Sequence, residues 1–327
     1  KFAEDNYKSV VDINFVTSKK YKQITSDGYS AESVIKNISL IDPSHKFIPG
    51  ETLIFFDEIQ EYPEIATSLK FFSIDGRFDV VCSGSLLGIN YKRIESNSVG
   101  YKTDYNMYSL DFEEFLWALD NDMLMPFIRN CYEKKQPMGQ ALHRKAMDYF
   151  RQYMIVGGMP QAVERYVQTR DFDSVDRVKR SILELYRADI VKHAEGYEMK
   201  VEQIFDDIPA QLQKHDKKFK LSSLKKEARF RDYEDAMFWL SDAMIMNVCY
   251  NSTAPSIGLK LNMDRMTLKC YMADTGLLIS HAFDENGIVS EEIYKKLLFD
   301  KLEVNKGMIV ENIVAQMIVA SGHKLYF

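Results

Sequence analysis

Two adjacent carboxylates follow a short apolar run near the start of the chain. The run spans residues 52–56 (TLIFF) and ends at Asp57 and Glu58. Because every position of the run is apolar or β-branched, we expect a strand that is buried on both faces, as in a parallel sheet covered by helices. Ligands of open α/β sheets bind at the carboxyl ends of the strands. The pattern therefore places two acids at the edge where a ligand would bind.

An Asp-Glu pair at the end of such a strand is typical of a Walker B motif. In that interpretation Asp57 holds Mg²⁺, usually through water, and Glu58 orients and polarises the water that attacks the γ-phosphate of ATP. A core strand followed by the N-cap of a helix has the same pattern. The spacing alone leaves both interpretations open.

Hydroxyl side chains follow the next predicted strand. Residues 78–82 (FDVVC) form a second apolar run, and this run leads into Ser83, Gly84 and Ser85. In AAA-type ATPases the strand beside the Walker B strand carries a sensor residue that contacts the γ-phosphate or the attacking water. We choose Ser85 for that role and Ser83 as the second choice. A Ser-Gly-Ser turn without a ligand is the alternative.

Strands and helices alternate through the first part of the chain. Ser30 is placed to cap one helix, and Pro63 fits the first turn of another. A further strand is predicted over residues 105–110, and Asp111 begins a capping box. The alternation predicts an α/β fold with a parallel sheet. The strands of that sheet are predicted at residues 9–15, 52–56 and 79–83.

Residues 197–252 follow a long helical region and are predicted as helix, short helix, helix and strand. This is the order of a winged helix, a helix-turn-helix variant. Residues 214–231 carry eight Lys and Arg against two acids, a net charge of +6. One interpretation is DNA contact through this basic stretch, with Lys217, Lys218 and Lys220 on phosphates. The other, a domain-packing module with a solvated charge run, is favoured because the helix predicted over 233–245 is poor in Arg and Lys.

Composition limits the classes of function. The chain has 327 residues, 46% of them hydrophobic and 28% charged, as expected for a folded protein of two or three domains. The net charge of −6 gives no global basic field for nucleic acid. Neither a signal peptide nor an apolar run of membrane-spanning length occurs, so no membrane partner is expected. The cysteines lack CxxC spacing and predict free thiols of a reducing cytoplasm: Cys82, Cys131, Cys249 and Cys270.

Several segments in this order resemble a bacterial and archaeal family of AAA-type P-loop ATPases. The C-terminal domain of that family is of unknown function and is related to PD-(D/E)xK nucleases. The matching segments are residues 53–60, 82–87, 110–116, 156–160, 186–190, 271–277 and 307–312. The resemblance implies four domains: an ATPase core with a parallel P-loop NTPase-type sheet (1–125), a helical lid (126–196), a winged helix (197–255) and the start of a nuclease-like α/β domain (256–327).

The resemblance also implies roles for single residues. Asp57 takes the metal, Glu58 and Ser85 are catalytic, and Ser83 and Asp57 contribute to ATP and Mg²⁺ binding. Hydrolysis would then move the C-terminal domains, in a protein that forms homo-oligomers. Glu311 matches an acid of the nuclease-like core, although a helix N-terminal acid stabilised by the helix dipole is the favoured interpretation. Arg93 is a candidate arginine finger.

The chain departs from the family pattern in one respect that bears on activity. No GxxxxGK[ST] occurs in it, and there is no Gly-Lys dipeptide. In the family that loop precedes the first helix found here, so we expect the chain to be a piece of a longer protein, and acids that complete a nuclease site would follow Phe327. Two alternatives to the ATPase hypothesis remain: a DNA-binding or nuclease-associated regulator, and a scaffold that has lost hydrolysis.

Overall fold

The computed structural model describes residues 2–84, 98, 100–254, 258–283, 294, 296 and 306–327. The chain divides into two compact units, Lys1–Asn106 and Met107–Phe327. We describe each unit by itself. The predicted domain boundaries at residues 125, 196 and 255 all fall inside the second unit, and the division into four domains stays a prediction.

A parallel three-stranded sheet organises the first unit. Its strands are β1 (Ser9–Asn14), β2 (Thr52–Asp57) and β3 (Asp79–Cys82), in the order β1-β2-β3. Ser9 lies opposite Thr52, and Leu53 lies opposite Asp79, so all three strands end at the same edge. This confirms the predicted α/β fold with a parallel sheet. The acid-tipped strand β2 is the central strand.

Among the described residues of this unit, three α-helices accompany the sheet: α1 (Phe2–Asn6), α2 (Ala31–Ile41) and α3 (Ile65–Asp75). The predicted cap of α2 is present, because the Ser30 hydroxyl accepts a hydrogen bond from the backbone N–H of Ser33 at 3.1 Å. Apolar side chains of the helices and strands form one core. Its fully buried members include Val11, Ile13, Phe15, Ile24, Val34, Ile38, Ile54, Phe56 and Ile65.

Helices dominate the beginning of the second unit. The predicted capping box is present: the Asp111 side chain accepts from the Glu114 N–H at 2.8 Å, and the Glu114 side chain accepts from the Asp111 N–H at 2.8 Å. The helices are α4 (Phe112–Ala118), α5 (Leu124–Glu133), α6 (Gln140–Val156), α7 (Pro160–Thr169) and α8 (Phe172–His193).

The prediction of a strand over residues 105–110 is wrong, because these residues form no regular secondary structure. Tyr105 is 84% exposed and Met107 is 87% exposed. A strand needs a neighbour for its backbone groups. The Leu110 N–H instead donates to the Gly158 carbonyl at 2.8 Å, between α6 and α7. The sequence therefore predicted a strand for which no partner strand exists among the described residues.

The rest of the second unit combines helices with a small mixed sheet. Strand β4 is antiparallel to β5 and parallel to β6, and the strand order is β5-β4-β6. The helix predicted over 233–245 begins earlier, at Phe230. The element bounds are α9 (Glu198–Gln213), a 3₁₀ turn (Leu221–Ser223), α10 (Phe230–Asp242), β4 (Met246–Ser252), β5 (Met263–Met272), α11 (Thr275–Ala282), α12 (Lys306–Ala320) and β6 (Leu325–Tyr326).

A buried acid joins segments of the second unit that are distant in sequence. Asp274 is 0% exposed and caps α11 by accepting from the Leu277 N–H at 2.9 Å. It also accepts from the Gly158 N–H at 2.7 Å, in the turn between α6 and α7. Burial raises the pKa of this carboxyl, while both backbone donors act in the opposite direction. The segments 156–160 and 271–277, which the resemblance singled out, therefore pack together.

Helix α12 places polar side chains inward. Asn312 is 0% exposed and donates to the Met272 carbonyl at 3.1 Å and to the Thr275 hydroxyl at 2.9 Å. Gln316 is 4% exposed; its side-chain oxygen accepts from the Thr275 N–H at 2.9 Å, and its amide donates to the Tyr153 hydroxyl at 3.2 Å. These bonds satisfy both side-chain amide nitrogens and the Gln316 oxygen, whereas the buried Asn312 Oδ1 has no hydrogen-bond partner among the described residues. The segment 307–312 thus has a structural role beside Asp274.

Among the helices that the structure describes, none is both long and apolar enough to cross a membrane.

Candidate functional site

Three strand ends meet at the Asp57 carboxylate. Asn14, the last residue of β1, donates from its side-chain amide to one Asp57 oxygen at 2.7 Å. The Ser83 hydroxyl, just after β3, donates to the other oxygen. The N–H of Glu58 also donates to that second oxygen, at 3.0 Å. Parallel register explains the convergence, because Asn14 lies directly opposite Asp57 and Cys82 lies opposite Phe56.

Asn14 is itself held in place by the loop after β1. Its side-chain oxygen accepts from the backbone N–H groups of Val16 at 2.9 Å and Thr17 at 3.0 Å. The amide is therefore fixed with its donor side toward Asp57. The sequence analysis missed Asn14. Its position as the last residue of a strand in the same parallel sheet was the available signal, since it ends at the same edge as Asp57.

Glu58 has a left-handed backbone conformation, with φ of 57° and ψ of 46°. This region costs a residue other than glycine roughly 1–2 kcal/mol, and such strain is often found at functional sites. The side-chain amide of Gln60 donates to the Glu58 carboxylate. The Ile59 N–H donates to the Ser83 carbonyl at 3.1 Å, which ties the turn after β2 to the end of β3. Glu58 is thus held in a turn that leaves the sheet at the same edge.

The oxygens at this edge fit a hydrated Mg²⁺ better than a metal held by protein alone. A carboxylate (Asp57) and a hydroxyl (Ser83) are hard ligands of the kind that Mg²⁺ prefers. Within the described ranges, no group of three or more His, Cys, Asp or Glu is arranged to hold a metal ion. Mg²⁺ commonly keeps several waters and is bound through one or two carboxylates together with substrate phosphates. The donor set therefore suits an ion that arrives with a phosphorylated ligand.

Of the predicted site residues, the structure brings Asp57, Glu58 and Ser83 together. Ser85 and Arg93 lie outside the described residues, so their sensor and arginine-finger roles stay predictions. Arg187, which lies in one of the segments matched by the resemblance, belongs to the second unit, where its guanidinium is 2.7 Å from a carboxylate oxygen of Asp206.

Glu311 lies in an environment that neither sequence interpretation, an acid of a nuclease core or a helix N-terminal acid, predicted. It lies beyond the first turn of α12, which contains no acid, so the explanation as a helix N-terminal acid is wrong. The carboxylate is 3.0 Å from the Lys217 ammonium and 3.4 Å from the Lys269 ammonium, and it accepts from the Tyr271 hydroxyl at 3.1 Å. Burial would raise the pKa of this carboxyl, but the two lysines offset that effect and the pKa is lowered.

The basic stretch 214–231 is not one continuous cationic surface. Lys217 is 8% exposed and pairs with Glu311, so it is withdrawn from the predicted phosphate contacts. Lys220 is 3.0 Å from Asp216. Among the described residues, the exposed cations of this stretch that have no ion pair are Lys214, Lys218, Lys225, Lys226 and Arg229.

Comparison with known proteins adds two family matches. Residues 1–116 match the model of a family described as an AAA domain. Residues 147–286 match a family described as a domain of unknown function (DUF8612). The first match supports the prediction of an AAA-type P-loop ATPase for the N-terminal residues. The second match assigns no activity.

Solved structures similar to this chain include the Walker-type ATPase PABY2304 of Pyrococcus abyssi. The sequences are 14% identical, the match covers 77% of this chain and 68% of the other, and the TM-score is 0.41. A likeness at this level says nothing about activity. No curated protein matches this chain.

Proposed function

We propose that the edge formed by Asp57, Glu58 and Ser83 is the metal and water side of an ATP-hydrolysing site. The observation that carries this proposal is the convergence of three strand ends on Asp57, with Asn14 and Ser83 donating to its two oxygens. The AAA-domain match of residues 1–116 supports it. We also propose that Glu58, rather than a residue of the second unit, acts on the attacking water.

The side chains at the edge would divide the work of phosphoryl transfer. Asp57 and Ser83 would hold the hydrated Mg²⁺ of the nucleotide, and that ion supplies charge neutralisation at the β- and γ-phosphate oxygens. Asn14 would keep Asp57 in one orientation. Glu58 would orient a water molecule and accept its proton. A general base must lie within hydrogen-bonding distance of the group whose proton it removes. For that step the bond from Gln60 to Glu58 must be broken or shared with the water.

The phosphate cradle is the missing half of this site. A P-loop supplies backbone N–H donors and a lysine for the β- and γ-phosphates. The 327 residues contain no GxxxxGK[ST]. If ATP is hydrolysed at this edge, the cradle comes either from residues that are not among these 327 or from a phosphate-binding arrangement other than GxxxxGK[ST].

Two further proposals concern the second unit. We propose that residues 197–255 form a winged helix and that nucleotide hydrolysis moves this domain and the helical lid. The order α9, 3₁₀ turn, α10, β4, β5 supports the first of these. A nuclease activity of residues 256–327 has no support in the described residues, since Glu311 is paired with two lysines.

Two substitutions at the edge test the proposed function in a protein that carries a P-loop. Glu58→Gln should keep ATP affinity and lower steady-state phosphate release by about 10²–10⁴-fold, because the amide keeps the size of the side chain but not its charge. Asp57→Asn should also weaken Mg²⁺-dependent ATP binding. Asp12→Asn, an exposed acid on β1, is the matched control and should change neither quantity. Unchanged phosphate release in Glu58→Gln would show that the Asp-Glu pair is only a strand end.

A further inference from the structure

A groove of about 810 Å³ lies in the second unit, on one side of α10. It is bounded by the residues around the 3₁₀ turn, by the first turns of α10 and by β5. Its apolar lining includes Phe219, Met237, Met266 and Leu268.

Cations dominate the charged groups of the groove. Lys220, Arg229, Arg231 and Arg265 line it together with a single acid, Glu234. Two of the cations have acidic neighbours, since Lys220 lies 3.0 Å from Asp216 and Arg231 lies 3.7 Å from Asp232. Arg229 and Arg265 are exposed and have no ion pair within the part of the chain that the structure describes.

The floor of the same groove is apolar. Phe219 is 7% exposed, Met237 is 5% exposed and Leu268 is 2% exposed, so these side chains form a fixed base. Met266 is 66% exposed on the wall that β5 provides. An exposed methionine beside a fixed apolar floor is adaptable and can fit differently shaped apolar groups. The groove thus combines an apolar base with two unpaired guanidinium groups.

The helix beside the groove carries the opposite charge. Helix α10 has four acids (Asp232, Glu234, Asp235 and Asp242) and one base (Arg231). The first three of these acids are exposed. DNA phosphates would be repelled by this surface, and a helix that reads bases in the major groove normally presents Arg, Lys, Asn or Gln. Of these acids only Glu234 lines the groove, so a short segment held within the groove avoids Asp232 and Asp235, which a DNA duplex lying across α10 would meet.

We propose that this groove binds a short acidic segment of a partner protein, in which carboxylates flank one or two large apolar side chains. Arg229 and Arg265 would pair with the carboxylates, because guanidinium groups bind carboxylates in a two-point geometry. The apolar side chains would cover Phe219, Met237 and Leu268, as anchor residues do in peptide grooves. This inference is independent of the proposed ATPase site, since it concerns only residues of the second unit.

Fluorescence anisotropy with a labelled peptide tests the proposal on the 327-residue protein. The probe is a fluorescein-labelled peptide of Asp and Glu around a central Phe-Leu pair. Arg229→Glu and Arg265→Glu should each weaken binding by at least about tenfold, equivalent to about 1.4 kcal/mol. Met266→Ser should weaken it as well. The matched control is Lys226→Glu, which makes the same charge change in the basic stretch outside the groove and should alter the affinity less than about twofold.

Two further probes separate the alternatives. The same peptide with Ser in place of Phe-Leu should bind more weakly, because it leaves the apolar floor uncovered. A labelled DNA duplex should bind weakly and should not compete with the peptide. Tighter binding of the duplex, an equal loss in Lys226→Glu and Arg229→Glu, or no binding of the peptide would each overturn the proposal. Unchanged thermal melting of the variants, all at exposed positions, shows that the fold is retained.

Discussion

Asn14 contacts Asp57 with its amide nitrogen and its own loop with its oxygen. The substitution Asn14→Asp separates these two contacts, because a carboxylate can still accept from Val16 and Thr17 but cannot donate to Asp57. It also places a like charge beside Asp57. Hydrogen bonds to charged groups contribute about 1.5–3 kcal/mol. We therefore expect Asn14→Asp, in a protein that carries a P-loop, to raise the Mg²⁺ concentration for half-maximal phosphate release by at least about tenfold.

Two measured quantities, the Mg²⁺ concentration needed and the turnover at saturating Mg²⁺, show whether Asn14 positions Asp57 or only supports the fold. At saturating Mg²⁺ the turnover of Asn14→Asp should recover most of the wild-type value, because Glu58 and its turn are unchanged. Asp12→Asn on the same strand is the control for changes of charge on β1. A loss of turnover that no Mg²⁺ concentration restores, with normal melting, would contradict the positioning role of Asn14.

Lys179 is a buried cation that makes stability depend on pH. It is 0% exposed, and its ammonium donates to the Ile155 carbonyl at 2.8 Å. Burial lowers its pKa from 10.5 to about 8. The carboxylates of Asp176 and Asp274 partly oppose this shift, and the nearby Arg180 guanidinium adds to it. Between these two values the unfolded chain holds the proton and the folded protein does not, so the stability contributed by this group rises with pH.

Chemical denaturation at several pH values measures this effect. From pH 8 to about pH 9.5 the free energy of unfolding of the wild type should gain roughly 2 kcal/mol relative to Lys179→Met, which has no proton to lose. Lys225→Met, at an exposed position, should follow the wild type. Parallel pH profiles of the wild type and Lys179→Met would show that Lys179 keeps an ordinary pKa in the folded protein.

Single residues were predictable where their neighbours in sequence determine them. Asp57 and Glu58 could be placed at a strand end because the apolar run before them is unbroken. The capping box at Asp111 is local in the same way. For Asn14 the sequence carried only one signal, its place near the end of a predicted strand of the same sheet, and many polar residues share that signal. Only the register of β1 against β2, a contact between distant residues, shows that it reaches Asp57.

Backbone segments of the second unit lie in direct contact at two glycines, because glycine has no side chain to hold them apart. A Cβ on Gly276, in the first turn of α11, would lie 2.4 Å from the Val156 carbonyl oxygen. A Cβ on Gly158 would lie 2.0 Å from the Leu110 carbonyl oxygen. Both obstacles are backbone atoms, which cannot move without shifting an element. These glycines therefore set the distance between α11, the turn after α6 and the segment before α4.

Gly276→Ala tests this close approach. In an ordinary helix the change from Gly to Ala would stabilise by about 1 kcal/mol. Here we expect the opposite sign, a loss of about 1–3 kcal/mol or more, because the added methyl overpacks the contact with Val156. Gly196→Ala is the comparison: its φ is 88° but no atom lies within 4 Å of the added Cβ, so only backbone strain of about 1 kcal/mol applies. Stabilisation by Gly276→Ala in urea unfolding would contradict the proposed crowding.

Elements were predictable to the extent that local patterns control them. The parallel strands of the first unit follow from short apolar runs that alternate with capped helices. Residues 105–110 show the limit, since a strand needs a partner strand and the local sequence does not show whether one is present. The same limit applies to the basic stretch, where the ion pair between Lys217 and Glu311 joins residues that are far apart in sequence.

At the scale of the whole molecule, the two units carry different parts of the prediction. The acid-tipped sheet belongs to the first unit, and the buried acid Asp274, the groove beside α10 and Glu311 belong to the second. The resemblance covers both units: it implies ATP chemistry for the first and relates the end of the second to nucleases. Coupling between nucleotide hydrolysis and the second unit therefore remains a proposal. Its test is whether the conformation of the second unit changes when nucleotide binds or is hydrolysed.

The 327 residues should bind ATP weakly or not at all. The edge supplies two carboxylates and a hydroxyl, which can meet a metal ion but repel a triphosphate when no metal is present. The backbone donors and the lysine of a P-loop, which hold the β- and γ-phosphates, do not occur in this sequence. We expect a dissociation constant for MgATP weaker than about 1 mM, equivalent to less than about 4 kcal/mol of binding. Titration calorimetry of the 327-residue protein with MgATP measures it, with Asp57→Asn as the comparison. Micromolar binding that Asp57→Asn abolishes would show that these residues contain a phosphate cradle of another kind.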